Sequence, residues 1–162
     1  DRLTGLANRR KMDEFLEAMI IIFSEDKKPF SIIIVDVDFF KHYNDTHGHQ
    51  LGDVVLTSVA SILKKGVRRG DLVSRYGGDE FVIILPNCSK SDAIKIGNKL
   101  RKSIANEKIQ FQDQQPLGNL TCTFGVSNFP HDANNKEKLL KKADKFLYKG
   151  KSDGRNKLVS SD

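Results

Sequence analysis

The strongest constraint on the fold is an uninterrupted apolar run near the first quarter of the chain. Residues 32–35 read Ile-Ile-Ile-Val, and successive side chains of a strand point to opposite faces. Both faces of this strand are therefore apolar, as is typical of a strand in the middle of a sheet that helices cover on both sides. We predict a buried strand over residues 30–38 and an α/β fold built around it.

Helical periodicity and turn residues extend this prediction along the chain. The order α-β-α-α-β-β-α-β-α-β indicates an α/β fold with a mixed central sheet and helices on both faces. We predict helices over residues 9–24, 42–46, 50–65, 91–106 and 136–149, and further strands over 72–76, 80–85, 120–129 and 157–160. Gly150 is the predicted stop of the last helix. The helix over 50–65 is predicted to turn these residues inward: Leu51, Val54, Val55, Val59, Ile62 and Leu63.

Length and composition limit the function classes. The 162 residues suit one domain over 1–162, with a net charge of +6 and a pI near 9.3. This modest excess fits a phosphate-rich ligand, nucleic acid or an anionic surface, but no basic stripe with interleaved aromatic residues supports nucleic-acid binding. No apolar run approaches the roughly 20 residues that span a bilayer. Two cysteines cannot form a disulfide framework, which favours a reducing compartment.

Two pairs of acidic residues stand at predicted strand ends. Asp36 and Asp38 close the apolar strand, where alternation places both carboxylates on one face and a shared cation would relieve their repulsion. Asp79 and Glu80 follow two glycines in the tight turn between the next two strands. Each pair alone is explained as well by a turn or a helix cap. Together they favour metal-assisted phosphoryl or nucleotidyl transfer with Mg²⁺ or Mn²⁺.

Candidate phosphate ligands follow the first acidic pair and close the chain. Phe39, Phe40 and Lys41 stand where a helix begins, and free N–H groups at a helix start favour anions. Lys151 and Arg155 flank a short polar segment with a glycine. The alternative for each basic residue is an ordinary solvated surface position.

Other polar residues could recognise a base or a second ligand. Asn44 and Asp53 offer an amide and a carboxylate that suit the donors of guanine, or else they cap helices in a polar loop. Arg68 and Asp71 could grip a second phosphate ligand, or they form a simple surface ion pair.

The motifs taken together resemble the GGDEF family of diguanylate cyclases over nearly the whole chain. Residues 75–81 read R-Y-G-G-D-E-F, which is similar to the signature of that family. The other segments that resemble family motifs are residues 1–10, 36–45, 48–53 and 143–156. The fold that this implies is similar to nucleotidyl cyclase and polymerase palm domains.

The resemblance implies a reaction and a role for each matching residue. The family condenses two GTP into cyclic di-GMP and releases two pyrophosphates. The metal ligands implied for Mg²⁺ or Mn²⁺ are Asp36, the carbonyl of Val37, Asp79 and Glu80, and the catalytic residues are Asp79, Glu80 and Lys41. The residues implied to bind GTP are Phe39, Phe40, Lys151 and Arg155 at the phosphates and Asn44, His49 and Asp53 at guanine.

The resemblance also implies partners and context. Arg68 and Asp71 would form a site at which cyclic di-GMP inhibits its own synthesis, and turnover would need a homodimer. We expect a cytoplasmic output domain excised from the C-terminal end of a longer sensor protein, attached to a membrane only through a missing N-terminal region. The alternative within the same family is a non-catalytic module that binds GTP or cyclic di-GMP.

Overall fold

A computed structural model of the chain describes residues 1–26 and 28–161, and its elements follow the predicted order. The mixed α/β class is therefore confirmed. The helices are α1 (Arg9–Asp26), α2 (Phe40–His47), α3 (His49–Lys65), α4 (Lys90–Ala105) and α5 (Lys136–Ser152). The strands are β1 (Phe30–Val37), β2 (Leu72–Arg75), β3 (Glu80–Pro86), β4 (Cys122–Phe129) and β5 (Leu158–Val159).

The five strands form one mixed sheet in the order β2-β3-β1-β4-β5. The apolar strand β1 lies at its centre, antiparallel to β3 on one side and to β4 on the other. Only β5 runs parallel to its neighbour β4, at the edge. The predicted central strand and tight hairpin are confirmed, and the predicted final strand lies at the edge of the sheet.

Helices cover both faces of the sheet, and each face has its own hydrophobic core. Alternate residues of β1 pack into one core or the other. Ile33 and Val35 pack with α2, α3 and α4, whereas Ile32 and Ile34 pack with α1 and α5. All eight residues of β1 are buried, as the sequence predicts. This double coverage leaves the ends of the strands as the places where polar groups can face a ligand.

Two predictions about helices are wrong. Helix α5 does not stop at Gly150 but continues to Ser152, and Gly150 is buried inside it. A Cβ at Gly150 would lie 2.7 Å from Cγ2 of Thr123, so glycine at this position allows α5 to pack closely against the sheet. Val54 is 54% exposed instead of inward, because Val55 and Leu56 fill the buried face of α3.

The region between α4 and β4 is a loop with one short 3₁₀ turn, Gln112–Gln114. The polar, Gln-rich sequence of residues 108–118 predicts either a loop or an exposed hairpin, and the structure has the loop. Strand β4 is buried along its whole length, although its alternating sequence is typical of a strand with one exposed face. Within the described residues, no helix combines the length and the apolar character that a membrane crossing requires.

Candidate active site

The two acidic segments that are far apart in the sequence meet at one corner of the sheet. Asp36 at the end of β1 lies opposite Glu80 at the start of β3. The backbone N–H of Val37 donates to the carbonyl of Asp79 over 3.2 Å. The antiparallel pairing of β1 with β3 therefore brings Asp36, Asp79 and Glu80 together beside the turn of the β2–β3 hairpin.

Asp36 is the most strongly perturbed carboxylate of this corner. Burial raises the pKa of Asp36 to about 6, and the negative charges of Asp79 and Glu80 add to the increase. Lys151 opposes it, since its Nζ lies 2.7 Å from Oδ2 of Asp36. Burial also raises the pKa of Glu80, with Asp79 and Asp144 contributing. Such a crowded and desolvated group of carboxylates favours a cation beside it.

Asp38 does not share this role, and the structure does not support its predicted pairing with Asp36 around a cation. Its Oδ1 accepts a hydrogen bond from the Thr123 hydroxyl at 2.6 Å. Its Oδ2 accepts from the Thr121 hydroxyl at 2.7 Å and from the backbone N–H of Asn156 at 3.0 Å. These three donors satisfy the buried Asp38 carboxylate within the protein.

The donor set of the corner fits a magnesium-type ion that a nucleotide completes. Within residues 1–26 and 28–161, no three His, Cys, Asp or Glu side chains form a ready-made metal cluster. Mg²⁺ usually takes one or two carboxylates together with substrate phosphates, so a ready-made cage is not required. In the part of the chain that the structure describes, the buried Asp36 contacts the Lys151 ammonium through Oδ2, and its Oδ1 leaves capacity for a metal. The assignment of Asp36, Val37, Asp79 and Glu80 as ligands stays a prediction.

A pocket of about 470 Å³ opens on one side of the acidic corner, a size that suits a small-molecule ligand. It is lined by the predicted phosphate ligand Phe40 and by residues predicted for the base and the reaction: Lys41, Asn44, His49, Asp53 and Asp79. Oδ1 of Asn44 is buried and has no hydrogen-bond partner. A Cβ at Gly52 would lie 1.8 Å from that oxygen, so glycine is needed where the Asn44 amide packs. Asn44 also lines the pocket, and an amide can both donate to and accept from a base.

Two of the predicted phosphate ligands, Lys151 and Arg155, do not line this pocket. Lys151 lines a second cavity of about 250 Å³ together with Glu80 and the exposed Tyr148. The guanidinium carbon of Arg155 lies 4.3 Å from the centre of the Phe39 ring. Asp79 thus lines the larger pocket, with the predicted guanine ligands, and Glu80 lines the smaller cavity, with Lys151.

Arg75 is a site residue to which the sequence reasoning gave no role. Its guanidinium donates two hydrogen bonds to the carbonyl of Gly78, at 3.1 and 2.8 Å, and it also contacts Asp1. Arg75 lines the larger pocket and fixes the shape of the turn that carries Asp79. Its position at the start of the R-Y-G-G-D-E-F segment was the signal that could have identified it.

Arg68 and Asp71 form a compact turn away from the acidic corner. Nε of Arg68 lies 3.2 Å from Oδ1 of Asp71, and the Arg68 guanidinium also donates to the carbonyl of Pro86. The Asp71 side chain is 2% exposed and the Arg68 side chain 61%. A cavity of about 330 Å³ adjoins the pair. The pair is therefore preformed, and its use as a ligand site stays a prediction.

Comparison with known proteins agrees with this geometry. The model of the family described as "Diguanylate cyclase, GGDEF domain" matches residues 1–157. The chain belongs to the GGDEF-domain family. Response regulator PleD of Caulobacter vibrioides is 39% identical over 98% of the chain, and Diguanylate cyclase A of Treponema denticola is 40% identical over 85% of it.

Solved GGDEF domains share the fold. The crystal structure of the GGDEF domain of DgcB from Caulobacter crescentus in complex with c-di-GMP aligns with a TM-score of 0.89. It is 30% identical, and the alignment covers 99% of this GGDEF domain and 94% of that chain. This GGDEF domain spans about a third of the length of the curated relatives, 35% of PleD and 36% of Diguanylate cyclase A.

Proposed function

We propose that this GGDEF domain is a diguanylate cyclase that condenses two GTP molecules into cyclic di-GMP. The observation that carries the proposal is the meeting of Asp36, Asp79 and Glu80 between a pocket with an unsatisfied amide and a cavity with a lysine. Relatives named as diguanylate cyclases and a neighbour solved with c-di-GMP support the choice of substrate and product.

Each half-site would bind one GTP across the acidic corner. Guanine would lie in the larger pocket, where Asn44 and Asp53 accept from its N–H donors and His49 lines the wall. The triphosphate would extend toward Lys151 and Arg155, with the backbone N–H groups of Phe39 and Phe40 nearby at the start of α2.

Two such half-sites in a homodimer would complete the reaction. The 3′-oxygen of each GTP attacks the α-phosphorus of the other, and the bond from that phosphorus to the pyrophosphate breaks. Asp79 would accept the hydroxyl proton, while Lys41 stabilises negative charge on the phosphates. A bound Mg²⁺ or Mn²⁺ would neutralise charge on the phosphates, held by Asp36, the Val37 carbonyl, Asp79 and Glu80.

Cyclic di-GMP would inhibit its own synthesis by binding at the turn that contains Arg68 and Asp71. The exposed guanidinium of Arg68 beside a cavity can pair with a phosphate of cyclic di-GMP, as bidentate guanidinium contacts do. We expect the Arg68→Ala variant to keep its initial rate and to lose inhibition by added product. Inhibition that is unchanged in this variant would remove Arg68 from the proposal.

The test of the activity is chromatographic detection of cyclic di-GMP after incubation with GTP and Mg²⁺. Because turnover would need two half-sites, the domain is fused to a parallel dimeric coiled coil at its N-terminus and compared with the monomeric form. Product formation that rises steeply on dimerisation supports the proposal. GTP binding without product in the dimeric form would favour the non-catalytic binding module, for which the occupation of Asp36 by Lys151 is the supporting observation.

A further inference from the structure

The segment that carries Arg155 has an unusual backbone conformation. Gly154, Arg155 and Asn156 have successive φ values of 101°, 62° and 46°. Side-chain-bearing residues rarely adopt positive φ, although asparagine tolerates it better than most residues. Conformations of this kind persist only where the surroundings fix them, and they cluster at functional sites.

Two side chains from distant parts of the fold hold this segment. The carboxylate of Asp38 accepts from the backbone N–H of Asn156 at 3.0 Å. The Arg101 guanidinium, from helix α4, donates to the backbone oxygen of Asn156 at 3.0 Å and to its Oδ1 at 2.8 Å. Asn156 is thus fixed from both sides, by an acid buried at the end of β1 and by a base on α4.

The consequence is a defined position for Arg155. Its backbone N–H donates to the carbonyl of Gly150 at 2.9 Å, and its guanidinium lies over the ring of Phe39. Phe39 itself has a positive φ of 55° at the start of α2. The Arg155 guanidinium is therefore held beside the predicted phosphate-binding backbone before any ligand arrives.

We propose that Asp38 and Arg101 are positioning residues that preorganise Arg155 for the terminal phosphates of the nucleotide. This inference rests on the proposed function, because it assumes that Arg155 binds phosphate. Neither residue needs to touch the substrate: Asp38 has its oxygens occupied by three donors, and Arg101 acts from α4 through Asn156. If the role were purely structural, substitution would weaken binding of all ligands alike. If the residues position Arg155, substitution weakens binding only of ligands that reach Arg155.

The test compares a non-hydrolysable GTP analogue with GMP, which lacks the terminal phosphates. Binding of each is measured by calorimetry to the parent domain and to Arg101→Ala, with the exposed neighbour Lys102→Ala as the matched control. We expect Arg101→Ala to weaken binding of the triphosphate analogue about tenfold and binding of GMP less than about twofold. Equal losses for the two ligands, or no loss in Arg101→Ala, would overturn the inference.

A second pair of variants tests the left-handed turn without touching either positioning residue. Asn156→Gly and Asn156→Ala both lose the Oδ1 contact with Arg101, but only glycine adopts positive φ without strain. We expect the Gly variant to bind the triphosphate several-fold more tightly than the Ala variant. Equal triphosphate affinity in the two variants would contradict the role of the turn.

Arg155→Ala separates this inference from the proposed function. If Arg155→Ala leaves triphosphate binding unchanged, the assignment of Arg155 to the phosphates fails, and with it the basis of the inference. If Arg155→Ala weakens binding of the triphosphate analogue and Arg101→Ala does not, the proposed function stands and the positioning role is wrong. In the Arg155→Ala background, Arg101→Ala should have no further effect on triphosphate binding.

Discussion

Two acids that end the same strand have opposite surroundings. Asp38 is buried among three hydrogen-bond donors, so its charge is satisfied within the protein. Asp36 lies two residues earlier on the same face. Burial, together with the charges of Asp79 and Glu80, raises its pKa to about 6, although the neighbouring Lys151 lowers it. Both side chains are almost inaccessible to solvent, so burial alone does not distinguish them.

The difference between the surroundings of Asp36 and Asp38 indicates which of the two acids can still bind a ligand. A buried carboxylate with all its donors in place contributes to stability and to the shape of its neighbours. A buried carboxylate that faces other acids costs free energy in the absence of a ligand, and such groups gather at functional sites. The following predictions test this distinction between a satisfied and an unsatisfied acid.

The largest expected effect is on turnover at Asp36. We expect Asp36→Asn to lower cyclic di-GMP synthesis by the dimerised domain about 1000-fold, because the metal site loses a charged ligand. The matched control is Asp113→Asn, an exposed acid of the loop before β4. Initial rates by chromatography measure the effect, and a loss of less than about tenfold in the Asp36→Asn variant would contradict the assignment of Asp36 as a metal ligand.

At Asp38 the expected effect is on stability. We expect Asp38→Ala to lower the free energy of unfolding by about 3 kcal/mol, because it leaves the Thr121 and Thr123 hydroxyls and the Asn156 N–H without their acceptor. Urea unfolding followed by circular dichroism measures this change. An Asp38→Ala variant that is as stable as the parent would contradict the distinction between the two acids.

A smaller effect concerns the pH dependence of stability without ligand. The pKa of Asp36 in the folded state, about 6, lies above its ordinary value of 3.8, so the folded state binds this proton more tightly than the unfolded state. The resulting stabilisation is present below pH 4 and is lost as the pH rises toward and through 6. We expect Asp36→Asn to remove this loss and to be more stable than the parent at pH 7 by about 2 kcal/mol or less.

The control for that measurement is the same pair of proteins with Mg²⁺ and the non-hydrolysable GTP analogue. A bound divalent ion favours the ionised Asp36, so the parent should gain more thermal stability from these ligands than the Asn variant does. Parallel pH profiles for the two proteins without ligand would show that Asp36 is not the unsatisfied group.

The smallest expected effect concerns Asn44, whose Oδ1 is buried without a hydrogen-bond partner. We expect Asn44→Ala to weaken binding of the GTP analogue by about five- to tenfold and binding of an ATP analogue little, because only guanine offers the matching N–H donors. Asn134→Ala, at an exposed asparagine, is the control. Equal losses for the two nucleotides would indicate that Asn44 does not read the base.

Much of the site was predictable because local sequence determines it. The apolar run of β1 required a central strand, and the glycine pair before Asp79 required a tight hairpin. The resemblance assigns Lys41 to catalysis and Asn44 and Asp53 to guanine, and one pocket contains all three. The end of α5 was not predictable, because the fit of Gly150 against Thr123 depends on a contact between elements remote in the sequence.

The amino-acid sequence by itself determined the element order, the buried central strand and the acidic residues at its end, since side-chain periodicity and turn preferences act between near neighbours. Only the tertiary structure decided that Asp38 is satisfied while Asp36 is not, and that Arg101 reaches the segment of Arg155. Those outcomes depend on donors from β4, α4, α5 and the turn after α5. Hydrogen bonds and desolvation depend on distances in space, which a local pattern of two acids cannot specify.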